Sequence, residues 1–426
     1  MCDLNDCFAS AEGRLTVAEA LDRFMNGISP VVGTEELNLA DANGRILSSD
    51  LISESIVPPC DNSAVDGYVV YFNDLVSDGP TALPVTGRIS AGHPLDRPAR
   101  QGEAVQIFTG GQIPAGEGEV EPDTVFMLED VIREGDKVTL PPGQKRGANL
   151  RKAGEDVKKG ETVLSVGKRL RPQDVGIAAA LGCTKIDVRK RLRVAVFSTG
   201  DEIREPGSRL ENGAIYDINR YTLRSLLHNL GCETTDLGIF PDDLEDLRRG
   251  LTVAAKKHDL LITSGGVSKG EEDHVRSAVR SLGALHTWNL LIKPGRPIAL
   301  GHVSDGDRQV PFVGLPGNPV AVLVTFLRIA RPIILLLSGS TQTEPIIFGV
   351  PAGFDFGKKP GRREWLRAYL RRDSNSGLLA IKYPDDGSGI LSSMVASDGL
   401  VELSEDTTKV SKGQLIDFLP FSEVMQ

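Results

Sequence analysis

Cysteine is scarce. The 426 residues include five, Cys2, Cys7, Cys60, Cys183 and Cys232, odd in number and without a CxxC pair. Neither a disulfide framework nor a cysteine zinc site is supported, and the thiols read as reduced. A long apolar run is also missing. The most apolar stretch, Pro319 to Ser338, is broken by Arg328, Arg331 and Pro332, whereas a spanning helix needs about 20 nearly uninterrupted apolar residues. No membrane span is expected. The first fourteen residues carry acids ahead of Arg14 and no apolar centre, which argues against a secretory signal and for a cytoplasmic location. Positive charge is in deficit: 48 Lys and Arg face 58 Asp and Glu, a formal charge of −10. A coat for nucleic acid or an anionic membrane is disfavoured. The basic stretch from Lys145 to Arg193 has no Phe, Trp or Tyr for bases to stack on and reads as a solvated face. Any anionic ligand must therefore be held by local cations. Neither GxxxxGK[ST] nor a GxGxxG following a strand occurs, which disfavours an ordinary nucleotide kinase or dehydrogenase.

What is present is enough chain for two to four domains at roughly 100 to 200 residues each. Hydrophobic residues at 40% and charged residues at 25% are globular values, and 46 Gly with 25 Pro imply many turns. Val17, Ala20, Leu21 and Phe24 fall on one helical face behind Thr16 and Glu19, spaced as a capping box. From about 45 to 165 short β-rich runs (YVVYF, EAVQIF, TVFML, KVTL) alternate with turn residues, and a helix is credible only near Gln173 to Leu181. At Arg191 the pattern changes. LRVAVFS, DLLIT and VPFVGL read as buried parallel strands, alternating with helices over Asn219 to Leu230 and from Leu244. From about 340 onward short strands return. The fold class is thus α/β plus β: a central α/β domain with a mostly parallel sheet, an inserted β-rich domain and a small C-terminal β domain.

In open α/β sheets ligands bind beyond the carboxyl ends of the strands. There stand Ser198-Thr199-Gly200-Asp201-Glu202, Thr263-Ser264-Gly265-Gly266-Val267-Ser268 and Gly314-Leu315-Pro316-Gly317-Asn318-Pro319. Backbone N–H groups of the latter two suit a phosphate, with Asn318 and Pro319 as N-cap and first position of a helix. A tight strand-to-helix turn uses the same residues, but three such loops on one sheet edge favour the anion reading. Lys293 and Arg296, in the Pro/Gly-stiffened IKPGRP turn, suit an oxyanion. Glu202, Asp242 and Asp273 supply the oxygens that Mg²⁺ uses beside phosphates; Asp242 or Asp243 could equally be a helix cap.

In chain order, PPCDNSAVDGY, IFTGG, GANLRKAGED, STGDE, IYDINR, TSGGVSKGEED, IKPGRP, GLPGNP and GSGILSS resemble the molybdopterin molybdenumtransferase family, MoeA-like proteins related to the gephyrin E domain. The resemblance implies a cytosolic homodimer of four-part subunits: 1–60 with 155–190 as an elongated subdomain, 61–154 as the β-rich insert, 191–340 as the α/β molybdopterin-binding domain, and 341–426 as the C-terminal β domain. It implies insertion of molybdenum from molybdate into adenylylated molybdopterin, supplied by molybdopterin adenylyltransferase, with cleavage of the pyrophosphate link, Mg²⁺ assistance and AMP release. Carried over by motif, the catalytic acids are Asp66, Asp156, Glu202, Asp242 and Asp273, with Glu202, Asp242 and Asp273 on the metal. Substrate contacts fall to Thr109, Arg151, Ser264, Gly265, Gly266, Ser268, Lys293, Pro294, Gly317, Asn318, Arg367 and Ser388. One departure stands out: four residues before Lys293 the family usually has Lys or Arg, and here Asn289 removes that charge from the expected molybdate pocket. A receptor-anchoring scaffold is the competing class, and the retained acids favour catalysis.

Overall fold

The computed structural model describes residues 15–266, 274–306, 308–373 and 377–425. The chain divides into two compact units. One comprises the chain up to Ser49, Val166–Arg171 and everything from Ile186; the other is Asp50–Ser165 with Pro172–Lys185.

The larger unit begins with helix α1 (Val17–Gly27), and both hydrogen bonds of the Thr16/Glu19 capping box are formed. Its central sheet comprises β1 (Arg193–Thr199), β2 (Glu233–Phe240), β3 (Leu260–Ser264), β4 (Gly283–Asn289), β5 (Pro297–Asp305) and β6 (Arg308–Leu315), in the order β2-β1-β3-β6-β5-β4. The first four strands in that order are parallel, and β5 and β4 extend the sheet antiparallel. Strand β1 shows why both faces are covered. Val194 and Val196 enter one core with Leu223 and Leu227 of α2 (Asn219–Asn229). Ala195 and Phe197 enter a second with Leu247 and Leu251 of α3 (Leu244–Lys257) and Val275 of α4 (His274–Leu282). At roughly 1.5–3 kcal/mol per fully buried large aliphatic side chain, this two-sided burial is what fixes the layer order.

Pro319–Leu337 forms one rod: α5 (Pro319–Thr325), a π turn over Phe326–Ala330, and α6 (Arg331–Leu337). By length and composition it could cross a membrane, yet its most apolar window is entirely buried within the protein. The arginines that interrupt the run are accommodated in place. The Arg328 guanidinium lies 3.5 Å from the buried Glu402 carboxylate. Arg331 donates to the Thr343 carbonyl, and burial, with Arg169 and Arg328 nearby, pulls its pKa down to about 10.

The C-terminal sheet runs Ile292–Lys293, Arg363–Asp373, Gly399–Leu403, Leu415–Pro420, Phe348–Pro351, with Gly377–Lys382 also on Arg363–Asp373. The two-residue strand after β4 pairs in parallel, placing Lys293 opposite Glu364. The smaller unit holds a six-stranded sheet containing Gly67–Val70 between Thr124–Met127 and Ala104–Ile107, and the expected helix at Pro172–Ala180. Gly67 is obligatory: a Cβ there would sit 1.7 Å from the Phe126 carbonyl oxygen.

Candidate functional site

A cavity of about 520 Å³ opens at the carboxyl ends of β1, β3 and β6. It is lined by Ser198 and Thr199 at the end of β1 and Glu202 beyond it, by Ser264 at the end of β3 with Gly265 and Gly266 beyond it, by Gly317 and Asn318 after β6, and by Asp242. Thus the three loops singled out in the sequence converge. The hydroxyls of Ser198, Thr199 and Ser264 are buried and have no hydrogen-bond partner among the described residues. A buried orphan hydroxyl costs on the order of 1–3 kcal/mol, so three on one floor mark a surface shaped for a polar ligand. The glycines make room for it. Gly265 and Gly266 have φ of 81° and 60°, and a Cβ on Gly266 would press on Val275 and Thr199 at 2.9 and 3.0 Å. At Gly200 a Cβ would meet the Glu202 carboxylate at 2.6 Å, so glycine lets that acid fold back over the loop.

The Asp242-Asp243 pair is divided. Asp243 is the cap of α3, its Oδ1 accepting from the amides of Glu245 and Asp246 at 3.0 and 2.9 Å, while Asp242 lines the cavity. Ser268 and Asp273 lie outside the described residues. No group of three His, Cys, Asp or Glu is arranged around a metal among the described residues. Glu202 and Asp242 nonetheless both line this cavity, and one or two carboxylates beside substrate phosphates is the donor set that Mg²⁺ takes.

A second pocket, about 200 Å³, is lined by Lys293, Pro294, Arg296, Glu364, Arg367 and Ser388. Lys293 Nζ donates to Glu364 Oε2 at 3.2 Å, as the strand register requires, and Arg362 Nε donates to Oε1 at 2.8 Å. Arg367 differs. It is 4% exposed; Nε donates to Ser393 Oγ at 3.0 Å, and Nη2 to the Asp385 and Gly387 carbonyls at 2.7 and 3.1 Å. No carboxylate lies within ion-pair distance among the described residues; burial shifts its pKa downward, against the opposing pull of Asp386, which also lines the pocket, and of Asp385. A buried guanidinium whose direct hydrogen bonds go to neutral acceptors keeps charge available for an anion. Gly295 closes the turn tightly, with φ 93° and Thr325 Cγ2 only 2.5 Å from where a Cβ would be. Asn289, the last residue of β4, pairs with Pro297 of β5 and is not among the residues lining this pocket.

The two pockets share a wall. Asn318, at the large cavity, donates from Nδ2 to Ser388 Oγ at 3.1 Å, and the Val320 amide donates to the Ser388 carbonyl at 3.0 Å. Asn318 therefore occupies the expected cap position before Pro319, but its side chain makes no cap bond and is spent on Ser388 instead.

Asp66, Thr109, Arg151 and Asp156 all belong to the smaller unit and are exposed. Asp66 Oδ1 accepts from the backbone amide and hydroxyl of Thr109 at 2.8 and 2.7 Å, which holds its carboxyl below the usual range. Arg151 pairs opposite Asn62, and the Asp156 amide donates to the Val57 carbonyl. Sequence reasoning did not pick out the Ser198 and Thr199 hydroxyls, Glu364, or Arg220. The Arg220 guanidinium, 2% exposed, is held by Asp217, Asp236 and Glu205. The first pair stood in a loop already chosen; nothing local distinguishes Glu364 from its charged neighbours.

Comparison with known proteins places these features in context. Residues 15–182 match the family model described as "MoeA N-terminal region (domain I and II)", 195–335 match "Probable molybdopterin binding domain", and 349–421 match "MoeA C-terminal region (domain IV)". The chain is 36% identical to a molybdopterin molybdenumtransferase of Haemophilus influenzae, over 96% of this chain and 100% of that one. It is 35% identical to one from Nostoc sp., over 78% and 76%. Among solved structures, a molybdopterin biosynthesis moeA protein from Pyrococcus horikoshii superposes with a TM-score of 0.80 at 30% identity, covering 96% of this chain and 100% of that one.

Proposed function

Because this chain belongs to the molybdopterin molybdenumtransferase family, we propose that it inserts molybdenum from molybdate into adenylylated molybdopterin, breaking the pyrophosphate link, releasing AMP and yielding molybdenum cofactor. The observation that carries this reading is the buried Arg367 guanidinium, bonded directly only to neutral acceptors among the described residues, in a small pocket joined through the Asn318–Ser388 hydrogen bond to a larger cavity lined by hydroxyls that have no partner among the described residues. A small cationic pocket fits a tetrahedral dianion, and the larger cavity fits an elongated phosphate ester.

In this reading the molybdate oxygens are gripped by Arg367, Lys293 and the Ser388 hydroxyl, with Pro294 shaping the wall. Ser268 belongs with them in the molybdate pocket, and the ester lies on Ser264, Gly265, Gly266, Gly317 and Asn318. Bound Mg²⁺ would neutralise charge developing on the diphosphate, and Glu202, Asp242 and Asp273 are the residues to hold it. The Ser198, Thr199 and Ser264 hydroxyls orient the phosphates, and burial of the floor excludes bulk water. Asp66, Thr109, Arg151 and Asp156 contact substrate in a homodimer, in the cytoplasm, with molybdopterin adenylyltransferase as the supplier. The four-part division of the subunit belongs to the same reading.

The test is AMP release from adenylylated molybdopterin with added molybdate and Mg²⁺. Release that depends on molybdate supports the reading; its absence in folded protein sinks it. Arg367→Met should weaken molybdate binding by at least tenfold in a calorimetric titration while leaving AMP affinity unchanged, since only the small pocket loses a charge-assisted donor.

A further inference from the structure

We propose that the apolar mouth of the larger cavity, centred on Tyr216, is a stacking platform for the planar heteroaromatic ring of a phosphate-bearing ligand; this rests on reading that cavity as the site of a phosphorylated substrate. The starting observation is exposure where burial is the rule. Leu210, Ile215, Tyr216, Ile218 and Tyr221 are 41, 53, 39, 40 and 43% exposed within twelve positions. A run of exposed large apolar side chains is a binding signal in a way that a lone one is not. Ile215, Tyr216 and Ile218 line the cavity directly.

Tyr216 is also held. Its hydroxyl donates to the Ser208 carbonyl at 2.9 Å. Its backbone pairs with Arg204 as Ile215 pairs with Ile203, closed by Ile215 N to Glu202 O at 2.8 Å and Asp217 N to Arg204 O at 2.9 Å. The next residue, Asp217, is anchored in turn: buried Arg220 binds it at 2.8 Å and also holds Glu205 and Asp236, and the Asp217 and Asp236 carboxylates raise the guanidinium's pKa against the opposing pull of burial. The ring therefore keeps little freedom to lose when something lies against it, which is what makes an aromatic platform effective. The cavity is amphipathic as a result. Its floor offers the Ser198, Thr199 and Ser264 hydroxyls and its mouth offers a fixed aromatic ring with two isoleucines. A ligand that satisfies both ends carries a phosphate on the floor and a flat ring, purine or pterin, at the mouth. Tyr216 is then a specificity-determining residue rather than a catalytic one.

The experiment is a calorimetric titration of the full-length chain with AMP, neopterin monophosphate and, as the ringless control, ribose 5-phosphate. Stacking on an aromatic side chain is worth about tenfold to a hundredfold in affinity. Wild type should bind at least one ringed phosphate about tenfold or more tighter than ribose 5-phosphate, and the preferred ring tells purine from pterin. Tyr216→Ala should erase that margin while leaving ribose 5-phosphate affinity unchanged, whereas Tyr216→Phe, which keeps the ring, should stay within about threefold of wild type. If Tyr216→Ala does not fold, Tyr216→Leu, apolar but without a flat face, should show the same loss. A margin that survives in these variants, or an equal weakening toward all three compounds, overturns the platform and leaves the cavity assignment standing. Binding of none of the three by wild type overturns the cavity assignment and the platform with it.

Discussion

At Asp242 and Asp243 two neighbouring carboxylates of the same chemistry are given different work by backbone geometry alone. Asp243 has extended φ and ψ, and its carboxylate covers two first-turn amides of α3; Asp242 turns to the cavity. Asp243→Ala should therefore cost about 1 kcal/mol of stability, seen as a lowered thermal midpoint, with AMP release retained. Asp242→Asn should leave the midpoint unchanged and abolish AMP release. The reverse pattern would show that the cavity acid had been misassigned. Sequence had left this pair undivided because a cap and a metal ligand draw on the same residue types at the same kind of turn. Asn289 teaches the converse. The missing charge was legible in the sequence, but its consequence depends on where β4 points it, and the residues lining the small pocket do not include it. Asn289→Lys is accordingly expected to leave molybdate affinity within about twofold of wild type, and a tenfold gain in titration would reinstate the position as part of that pocket.

Among the elements, these helices and buried strands of the larger unit were legible because their periods are clean: α1, α2 and α3 each carry an apolar stripe, and β1 has an unbroken apolar centre, Val194–Phe197, for a sheet covered on both faces. What could not be read was pairing. The two-residue strand Ile292–Lys293 carries no strand signal, yet its parallel pairing with Arg363–Asp373 sets Lys293 against Glu364. Contacts between segments some seventy residues apart leave no local trace. In the smaller unit the Asp66-Gly67 step read as a turn or a site, and in the structure a bend at 64–66 leads straight into a strand. Gly67 begins a strand flanked on two sides, with Phe126 O where a side chain would start. Gly67→Ala must push those strands apart. Hydrogen exchange should show protection lost across Gly67–Val70, Ala104–Ile107 and Thr124–Met127, while β1 and β3 keep theirs.

For the molecule as a whole, net charge set the right question, since an acidic chain that handles anions must concentrate its cations, and the small pocket does so. Stability toward alkali is a second whole-molecule property, traceable to Cys232. Burial pushes its thiol up to about 12 from an ordinary 9.0, against the milder opposing pull of Arg169 and Arg191. The folded state thus holds a proton that the unfolded state releases, so the stabilisation is complete below pH 9 and is lost as pH rises toward 12. Cys232→Ala should be less stable than wild type at pH 8, and that gap should narrow in thermal melts carried to pH 11; a constant gap would mean the thiol does not titrate with unfolding. The shared wall has a consequence of its own. Because one amide side chain stands between the compartments and bonds across to Ser388, whatever reorients Asn318 from one side is felt on the other. If the proposed oxyanion and ester occupy these pockets, thermodynamic reciprocity requires any coupling between them to be equal in both directions.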